Sequence, residues 1–251
     1  MKVTGCIPSR YASTRLPGKP LRDIGGKPMV IRVVEQATQV KSLDDVVVLC
    51  DDKRILDAVN GAGYQAVLTS EQCASGTDRI AEYMRQDEST DIFVNMQGDE
   101  VLLNPAHIDQ LVGEFSERKD AEMGTLAHWE SSGDVLKSPA TVKLVTSLDN
   151  RALYFSRNCI PVLQSGEFSE KALVHIGVYI YTRNTLAKFN QLNQSPLEMT
   201  EKLEQLRALE NGIGIGVTIV DNYQSLSVDT EDDLITARGI FEGRKRTAAL
   251  T

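Results

Sequence analysis

The stretch IPSRYASTRLPGKPL, residues 7–21, gathers Arg10, Ser13, Arg15, Gly18 and Lys19 into one short segment. Arginine offers a planar fork of donors that matches phosphate, and lysine supplies a mobile point charge. Ser13 and Thr14 add neutral donors, Gly18 lets backbone approach a ligand, and Pro17 and Pro20 stiffen the loop. The segment therefore reads as a polyphosphate loop, against the plainer reading of a solvated basic turn. NMQGDE sets Asp99 and Glu100 beside Gly98. A carboxylate there can hold a divalent metal, since Mg²⁺ takes a few carboxylates and completes its shell with phosphate oxygens, although GDE taken alone reads first as a solvated turn. SVDTEDDL supplies Asp229, with Asp232 and Asp233 nearby. Asp229 or Thr230 would equally serve as a helix cap, with Glu231 and Asp232 favouring the first turn.

Three further groups carry polar atoms into apolar surroundings. HIGVYIY alternates along an expected strand, so His175, Gly177 and Tyr179 share one face. Those two rings either line a polar pocket or serve the core. YFSR brings in Arg157, and LEQLR brings in Glu204 and Gln205, neighbours on an expected helix that diverge by roughly 100°. His107 and His128 read as structural. The cysteines, Cys6, Cys50, Cys73 and Cys159, form no CxxC pair and no zinc spacing, and Cys6 and Cys50 read as core thiols. There is no Walker A loop, and GIGIG at 212–216 lacks the dinucleotide spacing and leads into a strand pattern.

The elements that must carry these groups are legible as alternation. KVTGCIP, DVVVLC, QAVLT and DIFVNM read as strands. Between them PMVIRVVEQATQV, DDKRILDAVNGAG and SGTDRIAEYMRQ read as helices, the first presenting Met29, Val30, Val33, Val34 and Ala37 on one face. NPAHIDQLVGEFSERK follows as a helix with proline in its first turn. This order predicts a parallel sheet with helices on both faces. Ligands of such sheets sit beyond the carboxyl ends of the strands, where the three unusual stretches fall: after the first strand, after the third, and at QGDE. The second half predicts strands at MGTLAHW, TVKLVTS, ALVHIGVYIYT and GIGVTIV, and helices at NTLAKFNQL, at LEMTEKLEQLRALENG as one continuous helix, and at TEDDLITARGIFEGRKR. One mixed α/β domain over residues 1–251 is expected, with about 120–210 forming a subregion.

Composition limits the partners. The 251 residues carry a net charge of −8 with 41% hydrophobic content, as in a soluble globular protein. The acidic balance excludes bulk nucleic-acid binding, which needs an extended basic surface. No secretory signal or membrane-length apolar run is visible, so the expectation is a cytoplasmic protein without membrane insertion.

Seven motifs in order from residue 7 to 234 resemble one family, the 3-deoxy-manno-octulosonate cytidylyltransferases, or CMP-Kdo synthetases. They are IPSRYASTRLPGKPL, ASGTDRIAE, NMQGDE, YFSR followed by IP, HIGVYIY, LEQLRALENG and SVDTEDDL. The resemblance implies a nucleotide-diphospho-sugar transferase-like fold, with a mixed, mostly parallel sheet flanked by helices, and a homodimer. It implies transfer of CMP from CTP to the anomeric hydroxyl of 3-deoxy-D-manno-octulosonate (Kdo), with release of pyrophosphate, for lipopolysaccharide biosynthesis. It assigns Arg10, Ser13, Arg15, Lys19, Ser75, Gly76 and Arg79 to CTP, and Asp99 and Asp229 to Mg²⁺, with Lys19, Asp99 and Asp229 as the catalytic set. Gln97, Arg157, His175, Tyr179, Glu204 and Gln205 would hold the acid sugar, Arg157 meeting its carboxylate, in a 120–210 region that also serves dimerisation. A metal bridging hydroxyl and α-phosphate would activate the nucleophile, and no residue stands out as a general base.

The chain departs from the family pattern at Ser9 in IPAR, at Val101 in QGDEP, and at Ser227 and Glu231 in GVDTPEDL. These changes flank the metal and sugar motifs. They admit the 8-amino analogue of the sugar (Kdo8N) as an alternative substrate. A sialic acid cytidylyltransferase matches fewer motifs, and a non-catalytic nucleotide-binding protein would not need both carboxylates and Lys19.

Overall fold

The computed structural model describes residues 1–118, 122–167, 169–224 and 226–248. Two compact units divide the chain, one running Met1–Ala106 and resuming at Gln224, the other His107–Tyr223.

The first unit is built on four parallel strands. They are β1 (Val3–Ser9), β2 (Asp45–Cys50), β3 (Gln65–Leu68) and β4 (Ile92–Asn95), in the order β3-β2-β1-β4. Their apolar runs follow from burial: every residue of β4 and most of β1 are inaccessible to solvent, as in a sheet covered on both faces. Helices α1 (Met29–Ala37), α2 (Lys53–Gly61) and α3 (Gly76–Met84) alternate with the strands as expected. The predicted apolar face of α1 is buried, and Ile31 joins it. Asp52 caps α2, accepting from the Arg54 N–H. Ser75 caps α3 in a reciprocal box with Asp78. The long terminal helix α9 (Glu231–Ala248) opens on Glu231, Asp232 and Asp233.

The second unit is more irregular. Helix α4 (Pro105–Glu117) leads into it; Lys119, the last residue of the expected helix, lies outside the described residues, as does Asp120. Strand β5 (Met123–Glu130) pairs antiparallel with the long β8 (Ala172–Thr182) and parallel with β9 (Ile215–Ile219). Strand β6 (Lys143–Thr146) pairs antiparallel with both β7 (Ala152–Ser156) and β8. Burial alternates through the middle of β8, with Ile176, Val178 and Ile180 buried and His175, Gly177 and Tyr179 partly open, as the spacing predicts. A short helix α5 (Gly133–Lys137) lies in a stretch that shows no helical period. Helix α6 (Arg183–Phe189) begins where Thr182 caps it.

One expected helix is two. The run predicted as continuous to Gly212 is α7 (Pro196–Glu201) and α8 (Gln205–Glu210), separated by Lys202 at φ 54°, ψ 46°. The helix is cut by tertiary partners rather than by a breaker residue. The Glu201 carbonyl accepts from Arg157 Nε at 2.8 Å and the Lys202 carbonyl from Arg157 Nη2 at 3.4 Å. A buried ion pair joins the two halves, with Arg207 Nε 2.8 Å from a Glu198 carboxylate oxygen. Glu204 consequently occupies the cap position of α8 and Gln205 its first turn. Among the described residues, no helix is long and apolar enough to cross a membrane.

Candidate active site

The loops after β1, β3 and β4 meet as expected, in the first unit. They line a cavity of about 380 Å³, together with Asp229. In the first loop, Gly18 takes φ 64°, a conformation costly for other residues, and starts the 3₁₀ turn Lys19–Leu21. That turn aims the Lys19 ammonium between two carboxylates, 2.6 Å from Asp99 Oδ2 and 2.7 Å from Asp229 Oδ1. Arg15 adds a third ionic contact, Nη2 lying 2.9 Å from Asp229 Oδ2. Arg10 and Ser13 line the same cavity, and Ser13 Oγ also accepts the Leu16 N–H at 3.3 Å.

The carboxylates owe their positions to a pairing that the sequence did not reveal. Glu100 bridges to Ser227, and its side chain accepts the Leu226 N–H at 2.9 Å. The Val228 N–H donates to the Asp99 carbonyl at 3.1 Å. Two of the departures contribute ties of their own. The Val101 N–H donates to the carbonyls of Asp99 and Leu226, bonds that proline cannot make. Glu231 accepts Arg22 Nη2 at 2.7 and 2.9 Å, joining the start of α9 to the first loop. Capping falls to Thr230, whose hydroxyl accepts the Asp233 N–H, so the Asp229 carboxylate is left to Lys19 and Arg15. At Gly98 an added Cβ would sit 2.7 Å from both the Pro8 carbonyl and Ser9 Oγ, so the QGDE turn presses on the end of β1.

Ser75 and Gly76 bring the N-terminus of α3 to the cavity, where free N–H groups and the helix dipole favour an anion. Arg79 differs from a simple surface contact. It is buried, and its guanidinium donates to Thr69 Oγ1, to the Ser70 carbonyl at 3.2 Å and to Asp51 at 3.4 Å. Asp51 also accepts the Tyr11 N–H at 2.8 Å, so Arg79 fastens the first loop to the third while lining the cavity. Gln97 lines it as well. Among the described residues, no histidine lines the cavity. Burial pushes the Cys50 thiol up to about 11 and raises Cys6 further, as inert core thiols require.

The remaining predicted residues lie in the second unit. His175 packs between Phe155 and Tyr179, each ring centroid 5.3 Å away. Its Nε2 lies 3.0 Å from Thr125 Oγ1, which lies 2.7 Å from the Val178 carbonyl. The hydroxyl proton serves that carbonyl, so His175 donates from Nε2 and keeps Nδ1 as an acceptor. Burial depresses its pKa to about 3, and the ring is neutral at ordinary pH. Burial likewise raises Tyr179, which stays a phenol. Gln205 is buried with Nε2 unpartnered, an orphan donor of the kind a ligand oxygen satisfies. Arg157 spends Nε, Nη1 and Nη2 on the carbonyls of Glu201, Pro139 and Lys202. Two of its five N–H groups are left over by that count.

Comparison with known proteins converges on one family. A family profile described as cytidylyltransferase matches residues 4–219. A 3-deoxy-manno-octulosonate cytidylyltransferase from Trichlorobacter lovleyi is 42% identical, over 95% of this chain and 98% of its own length. One from Geotalea uraniireducens is 44% identical over 93% and 96%. A solved structure of CMP:2-keto-3-deoxy-manno-octonic acid synthetase complexed with CTP superposes with TM-score 0.91 at 39% identity, covering 97% of this chain and all of that one. A cytidylyltransferase from Leptospira borgpetersenii shares the fold alone, at TM-score 0.64 and 19% identity over 95% and 85%. By motif order, by sequence over nearly its whole length and by fold, the chain belongs to the 3-deoxy-manno-octulosonate cytidylyltransferase family.

Proposed function

We propose that residues 1–251 work as one cytidylyltransferase that transfers CMP from CTP to the anomeric hydroxyl of Kdo and releases pyrophosphate. The observation that carries this is the cluster of Lys19, Arg15, Asp99 and Asp229 in one cavity, in a chain 42–44% identical to enzymes named for that sugar. Kdo8N is not favoured, because those relatives are named for the unmodified sugar.

Arg10, Ser13, Arg15 and Lys19 bind the triphosphate, with Ser75, Gly76 and Arg79 completing the nucleotide contacts. Lys19 offsets charge on the departing pyrophosphate. The residues read as serving the acid sugar are Gln97, Arg157, His175, Tyr179, Glu204 and Gln205. Arg157 takes the carboxylate with its two spare N–H groups, His175 Nδ1 accepts from a sugar hydroxyl, and Gln205 Nε2 donates to one.

Asp99 and Asp229 would hold Mg²⁺. The fit rests on their convergence: both reach one ammonium at hydrogen-bond distance, so a single cation can bridge them. Among the described residues there is no cluster of three His, Cys, Asp or Glu. Two carboxylates suffice for Mg²⁺ when phosphate oxygens and water fill the shell. When bound, the ion neutralises phosphate charge and acidifies the attacking hydroxyl. The sugar oxygen forms its bond to the α-phosphorus as the bond to pyrophosphate breaks, and the hydroxyl proton passes to water. The protein contributes position and charge, and among the described residues no imidazole lines the cavity.

The region of about 120–210 is also the dimerisation part in this reading. Leu148, Leu153, Val162 and Leu163 stand exposed there, apolar surface of the kind a second copy covers. The reaction supplies lipopolysaccharide biosynthesis, in the cytoplasm where CTP is made available. Steady-state kinetics with Kdo and Kdo8N at equal CTP and Mg²⁺ test the substrate. kcat/KM higher for Kdo is expected, and a tenfold preference for the amino sugar refutes the choice. Asp99→Asn at ordinary Mg²⁺ tests the metal pair; unchanged activity would exclude it.

A further inference from the structure

Among the described residues of the second unit, Lys143 is the most deeply buried cation. It sits at the start of β6 with no solvent exposure. A lysine is rarely buried so completely unless its three N–H donors are met. Here they are: Nζ donates to the Ser138 carbonyl at 3.0 Å, to the Thr141 carbonyl at 2.7 Å and to the Arg157 carbonyl. All three acceptors are neutral backbone oxygens. Desolvation lowers the lysine's pKa, so a group used merely to fill this space would be better apolar.

The three carbonyls tie together the parts that surround the Arg157 guanidinium. Ser138 and Thr141 flank Pro139, whose own carbonyl accepts Arg157 Nη1 at 2.9 Å. From the other side, the Arg157 N–H donates to Glu201 at 2.9 Å, and Glu201 and Lys202 offer carbonyls to Nε and Nη2. The 138–141 turn and the backbone of Arg157 are thus fastened to the same ammonium. We propose that Lys143 is a positioning residue for acid-sugar recognition, fixing the Arg157 backbone and the 138–141 turn so that the guanidinium presents its free N–H groups in one orientation. It acts through Arg157 and touches no substrate. The inference rests on the reading of Arg157 as the carboxylate partner. The ties explain why three of the guanidinium donors are spent on protein: they hold a fork that would otherwise sample many rotamers.

The test is a double-mutant cycle on Lys143→Met and Arg157→Met, read as KM for Kdo, KM for CTP and melting temperature. Lys143→Met is expected to raise KM for Kdo about tenfold or more, with KM for CTP within about twofold of wild type. In the Arg157→Met background it should raise KM for Kdo no further. If Arg157→Met leaves KM for Kdo unchanged, the reading of Arg157 is at fault. If Arg157→Met raises it but Lys143→Met does not, or if the two effects multiply, the positioning role is overturned. A uniform loss in both substrates also overturns it, as damage to the fold alone. Should Lys143→Met not fold, Lys143→Gln, which keeps a donor for part of the triad, carries the same measurements. An intermediate rise in KM confined to Kdo supports the role, and no rise refutes it.

Discussion

Gly98→Ala isolates the contact that sets the metal carboxylates. The added methyl would lie 2.7 Å from the Pro8 carbonyl and 2.7 Å from Ser9 Oγ, each roughly 0.7 Å inside ordinary contact. The serine hydroxyl can rotate away. The carbonyl cannot, because Pro8 is held in the β1–β2 ladder opposite Leu49. The turn must therefore retreat, at a cost of about 1–3 kcal/mol for overpacking. In a chain of this size that lowers the melting temperature by about 3–10 °C. Asp99 is the next residue, and a displacement approaching 1 Å costs about a hundredfold in rate. Calorimetry and pyrophosphate release report the two effects. Gly113→Ala is the control: Gly113 lies within α4 with nothing inside 4 Å of an added Cβ. That change should stabilise by about 0.5–1 kcal/mol and leave activity intact. Wild-type melting and wild-type kcat/KM for Gly98→Ala would refute the argument that this close approach positions Asp99.

Other expectations follow from the same contacts. Arg207→Met leaves Glu198 buried without its partner and should cost about 3–5 kcal/mol in urea unfolding, while replacing both residues by apolar ones should cost much less. His175 is depressed to about 3 in the folded chain, so below the ordinary histidine value near 6.5 the unfolded chain binds a proton that the folded one does not. Its contribution is present above about 6.5 and is lost, at about 1.4 kcal/mol per unit, as pH falls toward 3. Urea midpoints at pH 7 and pH 5 should therefore differ less for His175→Asn than for wild type. Glu231→Gln weakens the tie to Arg22; the pair is largely exposed, so stability should change by under about 1 kcal/mol, checked by thermal melting.

The parallel half was legible because its signals are local. Short apolar runs alternate with amphipathic helices, and sheet topology then puts the loops of residues 10–19, 73–79 and 97–99 at one end. Lys19, Asp99 and Asp229 could be grouped from the sequence only through the resemblance of their motifs to a known family, because the residues are 80 and 130 positions apart and nothing local pairs them. The structure brings the two carboxylates within 2.6 and 2.7 Å of one ammonium. What escaped depends on partners distant in sequence. Lys202 takes a left-handed conformation without a glycine to announce it, as the carbonyls there serve Arg157. TVKLVTS reads as an ordinary strand, and nothing local reveals that Lys143 is buried on three carbonyls. Arg79 belongs to a recognisable motif, yet its burial and its bond to Asp51 are visible only in three dimensions. Val101 and Glu231 look like losses of family prolines in the sequence, and the structure gives each a bond in return.

The most direct measurement is product identification. The purified chain with CTP, Mg²⁺ and Kdo should yield CMP-Kdo by mass spectrometry and an equal amount of pyrophosphate, with neither formed when CTP, metal or sugar is omitted. Pyrophosphate without Kdo, or no CMP-sugar with all three present, would contradict the account.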